Sequence, residues 1–279
     1  MRVSVGDVRL FVDVDGAKLV QDGDLMRERP TVIMLHGNGA DHSPFKEFFA
    51  AFAEFAQVVY YDHRGHGRSD DGEPDSWSLD QWADDLVALC HGLGIDRPVV
   101  FGVSFGGNIT LNYAIRYPDH PAKIIVVGCA ARINPDASIR MFERLGGPDV
   151  AAVAARFYAS PADTWDEFLS VCSPYFSPLR GRRPEIGARI VSRAAVTEYF
   201  LRHEYLQCDY RDQVSAIRCP TLLLAGELDP ISPVQEIEDM ASRMPVGLAG
   251  VVRFPDAGHG VGGQPTVIDL VRDFVVAEA

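Results

Sequence analysis

Val99-Val100-Phe101-Gly102-Val103-Ser104-Phe105-Gly106-Gly107-Asn108 is the stretch whose reading decides the fold. An apolar run passes into G-x-S-x-G and then straight into helix-compatible sequence. That order predicts a strand, a sharp turn with a serine at its apex, and a helix that starts at once. Gly102 and Gly106 lack the Cβ atoms that would collide where strand and helix nearly touch. The Ser104 hydroxyl is therefore expected above the sheet, beside the first N–H groups of the helix. Such a serine is a nucleophile in need of a base, and the base needs an orienting acid.

Upstream, Val8 to Val14 reads as a strand after the Gly6-Asp7 turn, and Thr31 to Leu35 as a buried parallel strand emptying into His36-Gly37-Asn38-Gly39. Pro44 to Phe55 carries phenylalanines at helical spacing, Val58 to Tyr61 is a strand, and Ser78 to Leu93 is a helix with Ser78 as N-cap. Downstream, Lys123 to Val127 is a further strand. Strands alternating with helices predict an α/β fold built on a parallel sheet. The rhythm breaks at about Arg132 and resumes after about Asp212. It continues with strands over Pro220–Ala225 and Gly250–Phe254 and helices over Pro233–Met244 and Pro265–Ala277.

The expected organisation is thus a core of residues 1–131 and 213–279, with a helical cap of residues 132–212 over the strand ends. Tyr158 and Trp165, among the aromatic residues of that cap, are candidate substrate contacts.

The acid is expected on a loop after a strand beyond Ser104, where Ala225-Gly226-Glu227-Leu228-Asp229-Pro230 offers Asp229, with Glu227 as the alternative. The base is expected after the last strand, and His259, alone among the eight histidines, lies downstream of Asp229. For an oxyanion, Phe105 offers an N–H directly after the serine and Asn38 a second from the neighbouring strand end. Asp62-His63-Arg64-Gly65-His66-Gly67-Arg68-Ser69-Asp70 reads as a scaffold loop in which Arg64 pairs with Asp62 or Asp70.

The chain has 279 residues, 47% of them hydrophobic, enough for one large domain with an insertion. A formal charge of −13 argues against nucleic acid or an anionic membrane as partner, and carries little information about the small-molecule substrate that is expected. No apolar run reaches the ~18 residues of a membrane span and the start has no secretion-signal layout, so a cytoplasmic protein is expected. Five scattered cysteines, without C-x-x-C, read as buried fillers and not as metal ligands or disulfides.

Together these segments resemble the α/β-hydrolase superfamily from about residue 8 to the end. Within it, H-G-N-G-A-D-H-S (36–43), Y-D-H-R-G-H-G-R-S-D (61–70) and G-V-S-F-G-G (102–107) look most like the proline iminopeptidase-type branch and its esterase and lactonase relatives. The resemblance implies a Ser, Asp, His order, with Ser104 as nucleophile, Asp229 as acid, His259 as base, and no cofactor and no metal. Proline iminopeptidases carry H-G-G-P-G where this chain has His36-Gly37-Asn38-Gly39, and they hold a free amine with cap glutamates, for which Glu198 and Glu204 are the candidates. The expected activity is hydrolysis of a small, largely apolar carboxylic ester or lactone through an acyl-enzyme. An aminopeptidase and a non-catalytic ligand receptor on the same scaffold are the rival expectations.

Overall fold

A computed structural model describes residues 1–176 and 184–277. Its main sheet has eight strands. In chain order these are β1 (Arg2–Val5), β2 (Val8–Asp15), β5 (Thr31–Leu35), β6 (Gln57–Tyr61), β7 (Val99–Val103), β8 (Lys123–Val127), β9 (Thr221–Gly226) and β10 (Ala249–Phe254). A separate hairpin pairs β3 (Leu19–Asp22) with β4 (Leu25–Glu28). In space the main sheet runs β1-β2-β6-β5-β7-β8-β9-β10; β1 and β2 are antiparallel to their neighbours and all other pairings are parallel.

The wholly apolar runs lie in the middle of the sheet because both faces are covered there. Every residue of β5 and β8 is buried. Strand alternation sends successive side chains to opposite sides. Ile33, Leu35, Val100, Ile124 and Val126 join the core on one face, with α2 (Leu79–Leu93) and α3 (Phe105–Arg116). Val32, Met34, Phe101, Ile125 and Val127 join the core on the other, with α10 (Val267–Val276).

Ser78 caps α2 as its sequence suggests, its Oγ accepting the Gln81 N–H at 3.2 Å. The Pro44–Phe55 segment differs from expectation. It forms a short α1 (Ser43–Phe48), breaks at Phe49, and continues as a 3₁₀ turn over Ala50–Glu54. The rings of Phe45, Phe49 and Phe52 all converge on Phe101, at centroid distances of 6.3, 5.0 and 5.6 Å. Tertiary packing around that one ring outweighs helix continuity.

Between β8 and β9 the chain forms helices α4 (Pro135–Gly146), α5 (Pro148–Ala159), α6 (Trp165–Phe176), α7 (Pro184–Gly187) and α8 (Ala194–His203). Phe142, Phe157 and Phe168 pack there as a buried cluster continuous with the core. After β9 comes α9 (Val234–Arg243). Among the described residues no helix is long and apolar enough to cross a membrane. All five cysteines are buried and unpaired.

Arg64 is where the loop reading fails. Its guanidinium is buried and bonds Asp85 and Asp7, at 2.8 and 2.9 Å, rather than Asp62 or Asp70. A buried guanidinium must have its donors satisfied, and two carboxylates from outside the loop do so. Asp62 instead accepts from the His42 ring and from the backbone N–H groups of His42 and Arg68.

Candidate active site

Ser104 stands between β7 and α3 at φ 55° and is the one non-glycine residue with positive φ among those described. Holding a serine there costs on the order of 1–3 kcal/mol and persists only where surrounding structure enforces it. The enforcement is visible. The Ser104 N–H donates to Val127 O at 2.9 Å, and its carbonyl accepts from Gly107 and Asn108. The turn closes because two side chains are missing. A Cβ on Gly102 would sit 2.3 Å from Gly106 O, and one on Gly106 would sit 2.1 Å from Leu35 O.

The other two members arrive from loops after the next strands. Asp229 follows β9 and is wholly buried; its Oδ1 accepts the N–H groups of Ile231 and Ser232 at 2.8 and 3.1 Å. His259 follows β10, and its backbone N–H donates to Phe176 O, at the end of α6, at 2.9 Å. Its ring completes a row: Nδ1 lies 2.8 Å from Asp229 Oδ2, and Nε2 lies 2.8 Å from Ser104 Oγ. A carboxylate can only accept, so the ring proton belongs on Nδ1, leaving Nε2 free to accept the serine proton. Glu227, the alternative acid, pairs with Arg253 at 2.9 Å instead.

A cavity of about 770 Å³ opens over this row. Its walls include Phe157, Trp165, Phe168, Phe176 and Phe200, from the helices between β8 and β9. Asn38 and Phe105 line it beside Ser104, and neither backbone N–H has a hydrogen-bond acceptor among the described residues.

The other candidate contacts divide. Trp165 and Glu198 line the cavity, Glu198 with its carboxylate bonded to Arg202 at 2.9 Å. Tyr158 does not line it; it is buried against Phe157 and Tyr205 in the helical core. Nor does Glu204, whose Oε2 accepts the Leu79 N–H at 3.1 Å and so caps α2. A first-turn N–H without an intrahelical partner draws a carboxylate, and that occupies the glutamate. The Phe176 carbonyl, which fixes the His259 loop, is a backbone acceptor and leaves no signal in the sequence. Among the described residues no group of three or more His, Cys, Asp or Glu is placed to hold a metal ion.

A serine on a strand-to-helix turn at the carboxyl ends of a parallel sheet, with a carboxylate and an imidazole from later strand ends, defines the α/β-hydrolase class of fold. This chain belongs to that family: the family model described as alpha/beta hydrolase fold matches residues 30–262. It is 28% identical over 249 residues to a protein of Caulobacter sp. (strain K31) named "Putative carbamate hydrolase RutD", covering 88% of this chain and 90% of that one. It is 27% identical over 217 residues to the 3-oxoadipate enol-lactonase 2 of Acinetobacter baylyi, covering 75% of each. Among solved structures, the proline iminopeptidase of Mycobacterium smegmatis shares the fold, with a TM-score of 0.78 and 21% identity over 99% of this chain and 97% of that one.

Proposed function

We propose that the protein is a serine hydrolase that cleaves a small, largely apolar carboxylic ester or lactone, with residues 132–212 acting as a cap over the site. Ser104 Oγ attacks the carbonyl carbon as His259 Nε2 takes its proton, and Asp229 holds the imidazole in the tautomer that can do so. The tetrahedral oxyanion is received by the N–H groups of Asn38 and Phe105, a pair of donors of the kind whose individual loss costs about 10²–10³ in kcat. Collapse transfers the His259 proton to the departing alkoxide and leaves an acyl-Ser104. Water, deprotonated by the same imidazole, attacks the acyl group, and Ser104 is regenerated as the carboxylic acid leaves.

The observation that carries this reading is the continuous row from Asp229 through His259 to the Ser104 hydroxyl, with both spacings at 2.8 Å, on the floor of an aromatic-walled cavity. The aromatic walls favour an apolar acyl or alcohol group. The capping role of Glu204 and the Arg202 partner of Glu198 weigh against a free-amine clamp, and so against the aminopeptidase.

A second reading has a finding in its favour. The relative that spans 88% of this chain is named for carbamate hydrolysis, and the same row could attack a carbamate carbonyl and expel an amine. The test is labelling by a fluorophosphonate probe together with turnover of p-nitrophenyl esters, γ-lactones, aryl carbamates and prolyl-naphthylamide. Ser104→Ala is expected to abolish labelling and turnover alike; undiminished labelling of that variant would refute the proposal.

A further inference from the structure

Three buried histidines lie beneath the cavity floor and take no part in the proton relay: His36, His63 and His66. His36 ends the strand segment that leads into Gly37-Asn38. Its Nδ1 is 2.9 Å from Gly37 O, and its Nε2 accepts the backbone N–H of His63 at 3.2 Å. A nitrogen that accepts an N–H cannot carry a proton, so the ring proton sits on Nδ1 and is donated to Gly37 O. His63 returns a hydrogen bond from its own Nε2 to His36 O at 3.2 Å, and the two rings lie 4.1 Å apart.

The peptide between Gly37 and Asn38 is trans, since no cis bond occurs among the described residues. In a planar trans peptide the C=O and the N–H point in opposite directions. The Gly37 carbonyl, which accepts the longer Ala40 N–H bond at 3.3 Å as well, is held toward the His36 ring and so turns the Asn38 N–H away from that ring. Asn38 lines the cavity beside Ser104, and its N–H has no other acceptor.

Resting on the reading of Ser104 as nucleophile, we infer that His36 is a positioning residue: its Nδ1–H grips the Gly37 carbonyl and thereby aims the Asn38 N–H at the developing oxyanion, with the His63 backbone N–H locking the tautomer. Burial pushes all three imidazoles below the ordinary histidine range, His66 to about 3, so the device stays neutral and its donor stays in place. His63 and His66 also pack on the ring of Phe105, at 5.5 and 5.4 Å, so both oxyanion donors rest on one histidine layer.

The test compares His36→Leu, which removes the donor, with His36→Asn, whose amide nitrogen falls near the place of Nδ1. With p-nitrophenyl butyrate, His36→Leu should lose about 10- to 100-fold in kcat with KM within about twofold of wild type, an appreciable part of an oxyanion donor's worth. Its rate of covalent labelling by diethyl p-nitrophenyl phosphate should fall in parallel, while His36→Asn recovers to within about tenfold of wild type on both measures. Melting temperatures taken alongside separate misfolding from misaiming. If His36→Leu does not fold, His36→Gln, which carries its amide past the Gly37 oxygen, replaces it. The inference is overturned if the folded donor-less variant keeps wild-type kcat, if its loss lies in KM alone, or if His36→Asn is as impaired as the variant without a donor. Wild-type protein that is not labelled at Ser104 brings down the underlying reading, an outcome distinct from labelled wild type with an equally labelled His36→Leu.

Discussion

Asp229→Asn is the sharpest perturbation of the proposed row, because the structure dictates which way the new amide faces. Oδ1 of Asp229 accepts two backbone N–H groups, from Ile231 and Ser232. Only an oxygen can fill that position, so the asparagine carbonyl takes it and the NH2 group falls where Oδ2 now meets His259 Nδ1. A donor there faces a donor, and the imidazole answers by moving its proton to Nε2. That tautomer presents N–H to Ser104 Oγ and cannot take the serine proton. The expected loss is about 10⁴ in kcat, the scale seen when an orienting aspartate is amidated elsewhere. At about 1.4 kcal/mol per factor of ten, it corresponds to about 5–6 kcal/mol of lost transition-state stabilisation. The fold should survive, since the backbone bonds to Oδ1 and the side-chain volume are kept. The assay is steady-state hydrolysis of p-nitrophenyl butyrate, with circular dichroism and melting temperature as controls. A folded variant within about tenfold of wild-type kcat would mean that Asp229 does not set the tautomer, and the orienting acid would have to be sought elsewhere.

Other perturbations read different parts of the structure. Gly106→Ala places a Cβ 2.1 Å from the Leu35 carbonyl, a backbone atom that cannot swing aside, so destabilisation should reach about 3 kcal/mol, measured by urea unfolding. Glu204→Gln weakens the cap on α2, lowering stability by about 1 kcal/mol or less while leaving kcat and KM for esters unchanged; a raised KM for amine-bearing substrates would return Glu204 to the binding site. Asp62 is pulled two ways: burial alone raises its carboxyl, but hydrogen bonds from the His42 ring and the Arg68 and His42 backbone, with the nearby His36 ring, bring it down to about 2. A depressed folded pKa means that its contribution, on the order of 2 kcal/mol, is present above the unfolded value near 4 and is lost as pH falls toward about 2. Urea midpoints measured from pH 5 to pH 2 should fall accordingly, with a shallower fall in Asp62→Asn.

What could be read from the chain, and what could not, follows from how local each decision is. The β7–Ser104–α3 turn is legible because one contiguous decapeptide holds the strand, the missing Cβ atoms and the helix start, and nothing distant is needed to choose the conformation. The β5 and β8 strands announce themselves for a similar reason: a four-residue apolar run buried on both faces has few other solutions. Phe45, Phe49 and Phe52 mislead because their spacing satisfies a helix, while their packing target, Phe101, lies about fifty residues away on strand β7.

Side-chain partners on charged loops are harder still. Arg64 had carboxylates within its own loop, yet its buried guanidinium bonds Asp7 and Asp85, since burial requires every donor to be met and the nearest carboxylates in sequence were committed elsewhere. The same rule separates two glutamates. Glu198 lies within α8 and Glu204 directly follows its last residue, six positions on, and the sequence treats them alike. The structure separates them, one at the cavity wall and one on the α2 N-terminus, because a helix end from a different part of the chain claims the second. Chemistry carried by a local turn is therefore written in the sequence. Selectivity depends on which groups the rest of the fold has already satisfied, and that is decided only once distant elements meet.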